Sequence, residues 1–127
     1  MNSLSRLPLA AAILLAVVAT PARAQSEQPQ GVTQELIDKG NGIFHKDGLC
    51  YACHGADAKG MVGPNLTDDV WIHSKGSYDE IVAQVMKGTT KEESKSGVVM
   101  PPKGGSSISD DDVKAVAAYV WSLSHPH

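Results

Sequence analysis

The chain has 127 residues, a formal net charge of −3 and two cysteines. That length suits one domain and not two, the acidic balance argues against nucleic acid as a partner, and a single cysteine pair cannot complete a Cys₄ zinc site. One Phe, two Trp and three Tyr are a thin apolar stock, and a chain this small often needs a cofactor or crosslink to complete its core.

The first 24 residues read as a secretory signal peptide. Arg6 supplies the positive start, residues 7–18 are apolar apart from Pro8, and Ala22-Arg23-Ala24 gives a small-x-small cleavage pattern before Gln25. The apolar run is well short of the ~20 residues a spanning helix needs. No cysteine stands at the expected new amino terminus to carry a lipid, and no later apolar run approaches spanning length. The mature chain is therefore expected to be periplasmic and soluble, with no stable membrane insertion. Both arginines, Arg6 and Arg23, leave with the signal and make the remainder more acidic; that permits a docking partner with a basic patch. Residues 25–32 read as a flexible leader, and residues 33–127 as a single domain.

From Thr33 the pattern turns helical, with Leu36, Ile37, Gly40, Ile43 and Phe44 at three- and four-residue spacing. Thr33 is an N-cap and Gly48 a stop. A glycine inside a helix costs about 1 kcal/mol relative to alanine, so Gly40 on the apolar face predicts the close approach of another helix.

Next comes Cys50-Tyr51-Ala52-Cys53-His54, a C-x-x-C-H motif. Two thiols three positions apart on one turn of backbone can both reach the vinyl groups of one porphyrin, and the following histidine can offer a nitrogen to its iron. A thioredoxin-like dithiol would want a strand before Cys50, and none is legible. A disulfide between these cysteines would close only a tiny loop. Covalent haem c, held through Cys50 and Cys53 with His54 on the iron, uses all three residues and suits an exported chain.

Residues 55–66 hold three glycines and Pro64, so they read as a loop covering the His54 side of the haem. The Pro64 carbonyl can accept from the outer ring nitrogen of His54, fixing the ring and raising its basicity. Residues 67–76 read as a short helix or turn. Ser77 and Glu80 form a capping box for a helix carrying Ile81, Val82, Val85 and Met86, ended by Gly88. A polar, mobile loop follows to Gly97, then an apolar patch that Pro101 and Pro102 hold extended, then a flexible turn over 103–107. Ser109 and Asp112 form a second capping box, and Val113, Val116, Ala117 and Val120 give the last helix one apolar stripe running to Trp121 and Leu123. No internal repeat and no strand are legible.

The other face of the iron decides function. Met61 is close to His54 along a loop on the same side of the ring, and Met86 falls on an apolar stripe as core filler. Met100 lies in an irregular segment beside prolines and can pass over the opposite face. Its thioether would saturate the iron and favour the reduced state. His45, His73, His125 and His127 read as exposed polar residues, with His73 kept as the alternative ligand.

On these residues the chain resembles a class I c-type cytochrome. The resemblance covers roughly 34–123 and rests on Gly40-x-x-x-Phe44, Cys50-x-x-Cys53-His54, Gly63-Pro64-Asn65-Leu66, Met100-Pro101 and Ala118-Tyr119-Val120. It implies an all-α fold of three to five helices wrapped around one haem, with the first and last helices crossing where Gly40 and Phe44 meet Tyr119. It also implies His54 and Met100 as axial ligands and Pro64 as the His54 acceptor. The segment from Asn65 to Trp71 is similar to the cytochrome subunit of some haem–copper oxidases. That subunit is membrane-tethered, so the resemblance here implies a freely diffusing relative. Trp71 is expected to line the haem, to meet a propionate or to be a core tryptophan.

The function expected is a single-haem electron carrier, not an enzyme, passing electrons from a donor dehydrogenase or reductase to an acceptor such as a terminal oxidase. The alternatives are a haem enzyme or gas-binding protein with an open sixth site, and a dedicated cytochrome subunit of a dehydrogenase complex. A peroxidase would want a distal His or Arg, and no arginine follows Arg23.

Overall fold

The computed structural model describes residues 28–126; the expected signal peptide, the start of the leader and His127 lie outside them. Helix α1 (Gln34–Phe44) begins where Thr33 accepts at its side chain from the Leu36 amide, 3.1 Å. It ends four residues before Gly48, because the Ile43 carbonyl takes both the Lys46 amide (3.2 Å) and the Gly48 amide (2.9 Å) and turns the chain. A single helical turn follows, α2 (Tyr51–His54), carrying the C-x-x-C-H motif.

Residues 67–76, expected as a short helix or turn, are turns and bends. Asn65 accepts from the Thr67 amide at 2.8 Å and Asp68 from the Val70 amide at 3.1 Å. Side chains of this kind offer the backbone an alternative to helical bonds. Helix α3 (Tyr78–Lys87) and helix α4 (Asp110–Ser124) both start at the capping boxes read from the sequence, Ser77 with Glu80 and Ser109 with Asp112. Between them the polar loop folds on itself: Glu93 takes the Thr90 amide and the Lys87 ammonium, at 3.1 and 2.6 Å. A 3₁₀ turn, Pro102–Gly105, leads back to α4. Among the described residues the only strand-like pairing is an isolated antiparallel bridge between Thr89 and Met100.

Helix α4 is the axis of packing, with α1 across one part of it and α3 along another. Gly40 permits the first crossing, since a Cβ there would overlap the Ala115 carbonyl. Phe44 is fully buried and meets Tyr119 edge-on at 5.3 Å. Burying a phenylalanine stabilises by about 1.5–3 kcal/mol, and the aromatic pair adds to it. Val113, Val116, Ala117, Val120 and Trp121 are buried on α4, and Leu123 packs at the edge. The Tyr78 hydroxyl donates to the Lys114 carbonyl, 3.2 Å, and fastens α3 to α4. Met86 departs from expectation: Ile81 and Val85 form the buried face of α3, and Met86, one step further round, is 37% exposed.

Gly40→Ala is expected to lower stability by about 1–3 kcal/mol, the usual cost of overpacking, measured by denaturant unfolding of the haem-loaded protein. Gly42→Ala, on the same helix with nothing within 4 Å of its added methyl, should be neutral or raise stability by about 0.5–1 kcal/mol. The acid limb is also testable. The Lys39 ammonium, 2.8 Å away, and then Ser109 hold the Asp112 carboxyl down at about 2 against an ordinary 3.8. A carboxyl depressed by folding stabilises above its unfolded value and loses that contribution as pH falls through its folded one. Asp112→Asn should therefore flatten the stability–pH profile between the two values.

Candidate haem site

The C-x-x-C-H turn leaves its three functional side chains in different surroundings. Cys50 is half-buried and Cys53 exposed; burial pushes the free Cys50 thiol up to about 11. His54 is buried, 8% exposed, and its Nδ1–H donates to the Pro64 carbonyl at 2.9 Å. A carbonyl can only accept, so the proton is on Nδ1 and the Nε2 lone pair is left for a metal. Burial lowers the His54 pKa, opposed by the Pro64 bond, and so favours the neutral ring that a metal requires.

The loop that supplies Pro64 is bound back onto the motif by backbone hydrogen bonds. The Gly60 amide donates to the His54 carbonyl and the Gly63 amide to the Cys53 carbonyl, both at 2.8 Å. The Leu66 amide closes the loop on Ala58, also at 2.8 Å. His45 adds a fastening that the pattern reading missed. Expected as an exposed polar residue, it is half-buried, with Nδ1 2.9 Å from the Asn41 carbonyl and Nε2 2.7 Å from the Ala56 carbonyl. Its ring lies 5.0 Å from Phe44 and 6.0 Å from Tyr119. It thereby ties the end of α1 to the loop beyond the haem motif. Its partners are backbone carbonyls four and eleven residues away, so no side-chain pattern announces it.

Cys50, Cys53, His54, Pro64 and Met100 all line one cavity of about 300 Å³. Phe44, Leu66, Ile81, Val85, Val116 and Val120 give it an apolar wall, and Trp71 and His73 stand at it as well. Met100 packs against the core, while its backbone pairs with Thr89 through bonds of 2.7 and 3.0 Å. Met61 is 72% exposed, and neither it nor Met86 lines the cavity. His125 is engaged elsewhere, bonded to the Trp121 carbonyl at 2.8 Å and stacked on its indole. The sequence-derived set is thus gathered in one place, with His73 sharing the cavity.

These residues fit a flat apolar macrocycle. The wall is hydrocarbon, the cysteine pair is at its edge, an imidazole lone pair is available, and a thioether shares the space. No buried side-chain nitrogen or oxygen among the described residues lacks a partner. Nor, among them, does any group of three or more His, Cys, Asp or Glu form a cage for a bare metal ion.

Residues 35–120 match the family described as cytochrome c oxidase, cbb3-type, subunit III. The chain is 38% identical over 91 residues to the cbb3-type cytochrome c oxidase subunit FixP of Rhizobium meliloti, a match that takes in 69% of this chain and 28% of that protein. The subunit CcoP of Rhodobacter capsulatus is 37% identical over 83 residues, 58% of this chain and 25% of the relative. The chain thus spans about a quarter of the length of these curated relatives. Cytochrome CL from the marine methylotroph Methylophaga aminisulfidivorans shares the fold, with a TM-score of 0.52 and 23% identity over 68% of this chain and 52% of that one. Among the described residues no helix is long and apolar enough to cross a membrane.

A methyl at Gly63 would stand 2.9 Å from the His54 ring atoms Cε1 and Nδ1. Gly63→Ala should push the imidazole off the Pro64 carbonyl and cost the haem-loaded protein about 1–3 kcal/mol, read by denaturant unfolding followed at the Soret band.

Proposed function

The chain belongs to the cbb3-type cytochrome c oxidase subunit III family of c-type cytochromes, and from that premise we propose that it is a periplasmic single-haem electron carrier. Proteins of this family carry covalent haem c, and Cys50 and Cys53 are this chain's only cysteines. Bound there, the haem supplies one iron that alternates between ferrous and ferric.

In this reading His54 holds the iron through Nε2, and the Pro64 carbonyl fixes the ring and makes it a stronger donor. Met100, which lines the same cavity, would offer its thioether to the iron, and that would favour the reduced state and raise the potential. The apolar wall from Phe44, Leu66, Ile81, Val85, Val116 and Val120 would limit solvent around the iron. Were His54 and Met100 both to hold the iron, no site would be left open for a substrate, and the protein would move electrons without acting as a catalyst itself. The single observation that supports this reading is one apolar cavity lined by the cysteine pair, His54 with its outer nitrogen already committed to Pro64, and Met100.

The electron donor in this proposal is a dehydrogenase or reductase and the acceptor a terminal oxidase. The second class of partner is supported by the relatives, which are named as oxidase subunits. Those names also support a second reading, in which the chain serves inside such a complex. A free carrier is cleaved after Ala24, fractionates with the soluble periplasm and is oxidised by oxidase-containing membranes when added back. A resident subunit keeps to the membrane fraction and copurifies with its complex.

The ligand set is tested by spectroscopy. The ferric protein should show the far-red sulfur-to-iron charge-transfer band, and the ferrous protein should not bind carbon monoxide. Met100→Ala should abolish the band, open the iron to carbon monoxide and lower the midpoint potential by on the order of 0.1 V, well within the ~0.8 V that axial ligands span. If the band survives in Met100→Ala and disappears in His73→Ala, His73 is the ligand instead.

A further inference from the structure

Met100 stands at the end of a long exposed loop and before two prolines, so something other than local helix must hold it. Its backbone is paired with Thr89: the Thr89 amide donates to the Met100 carbonyl at 2.7 Å and the Met100 amide to the Thr89 carbonyl at 3.0 Å. Thr89 itself is only the second residue after α3. Gln84, one turn back on α3, reaches over it. Its Nε2 donates to the Gly88 carbonyl at 2.8 Å and to the Thr89 hydroxyl at 2.7 Å. Both amide protons are thereby used, and Gln84 and Thr89 line the same cavity as Met100.

Gly88 completes the arrangement. It adopts φ +74 and ψ −164, a conformation open essentially to glycine alone. A Cβ there would overlap the Met100 carbonyl and crowd Pro101 and Pro102. The chain after α3 is therefore pressed against the Met100 segment and clamped from the helix by one amide. Ser94, Ser96 and Gly97, in the loop between the paired residues, bond only within that loop, so the Thr89–Met100 pair is the closure at its base.

We propose that Gln84 is a positioning residue for Met100, setting how often its thioether leaves the iron by fastening Gly88 and Thr89 to α3. The proposal rests on the reading of Met100 as axial ligand. The Gln84 amide bonds Gly88 and Thr89 and acts on Met100 through Thr89.

The test uses the haem-loaded ferric protein and exogenous imidazole, which captures the iron whenever the sixth ligand lets go. Gln84→Met keeps the volume and removes both donors; Thr89→Val removes one acceptor; Thr89→Ser retains it. The first two should raise the imidazole capture rate, by roughly tenfold for Gln84→Met given the usual worth of two neutral hydrogen bonds, and Thr89→Ser should match the parent. In the double variant the effects should be less than additive, since the two changes remove a shared bond. Global stability is followed in parallel. A capture rate unchanged in Gln84→Met while the charge-transfer band is present overturns the proposal, as does a rate that rises only in proportion to global unfolding. Absence of the band in the parent protein overturns instead the reading of Met100 as ligand.

Discussion

The bond from His54 to Pro64 governs how this small structure is put together. An imidazole that is to bind a metal must be neutral, carry its proton on the outer nitrogen and stand with the other nitrogen facing an apolar space. Burial supplies the first condition and the Pro64 carbonyl the second. The third follows from placing the histidine at the end of a one-turn helix whose successor loop curls back underneath it. Each of the loop's bonds, from Gly60, Gly63 and Leu66, shortens the range over which Pro64 can wander. The result is a rigid lower face made almost wholly of sequence-local contacts.

Around that loop the three longer helices do a different job. Helix α4 carries no functional side chain except wall residues of the cavity, yet it is the most deeply buried element. Helix α1 crosses it at Gly40 and delivers the chain to the motif with a fixed entry angle, held by Phe44, Tyr119 and the double reach of His45. Helix α3 closes the far side of the cavity with Ile81 and Val85, and its carboxyl end leads into the Met100 pairing. The core of the protein is thus an incomplete shell around one cavity, which explains why so few large apolar residues suffice. The macrocycle that the cavity fits is the largest apolar body in the folded protein.

Most of this was legible in the sequence where a short-range rule dictated it. Both capping boxes, the Thr33 cap, the Gly40 crossing, and the placing of Cys50, Cys53 and His54 on one turn follow from residue type at fixed spacing, whereas Met100 follows only from setting Met61 and Met86 aside and from the resemblance. The misses share a cause. Helix α1 stops at Phe44 because the Ile43 carbonyl is bonded twice, His45 lies against carbonyls four and eleven residues away, and Gln84 bonds a carbonyl and a hydroxyl. In each case the partner is backbone or lies across a turn, and a pattern of side chains carries no trace of it. Met86 failed for a narrower reason: an apolar stripe of four residues is broader than the face α3 buries, and the sequence does not say which edge is left out.

His54 and Met100 line the same cavity and are held by unequal means. His54 is fixed by the loop's bonds from Gly60 and Gly63 and by its own bond to Pro64. Met100 packs against the core, but its backbone is held by one two-residue pairing at the base of an exposed loop, and regions with exposed backbone bonds open at the lowest cost. Local opening of the cavity should therefore begin at the Met100 segment. The Gln84 side chain is placed to restrain that segment, since it holds Gly88 and Thr89 to α3 and Thr89 is the residue paired with the Met100 backbone.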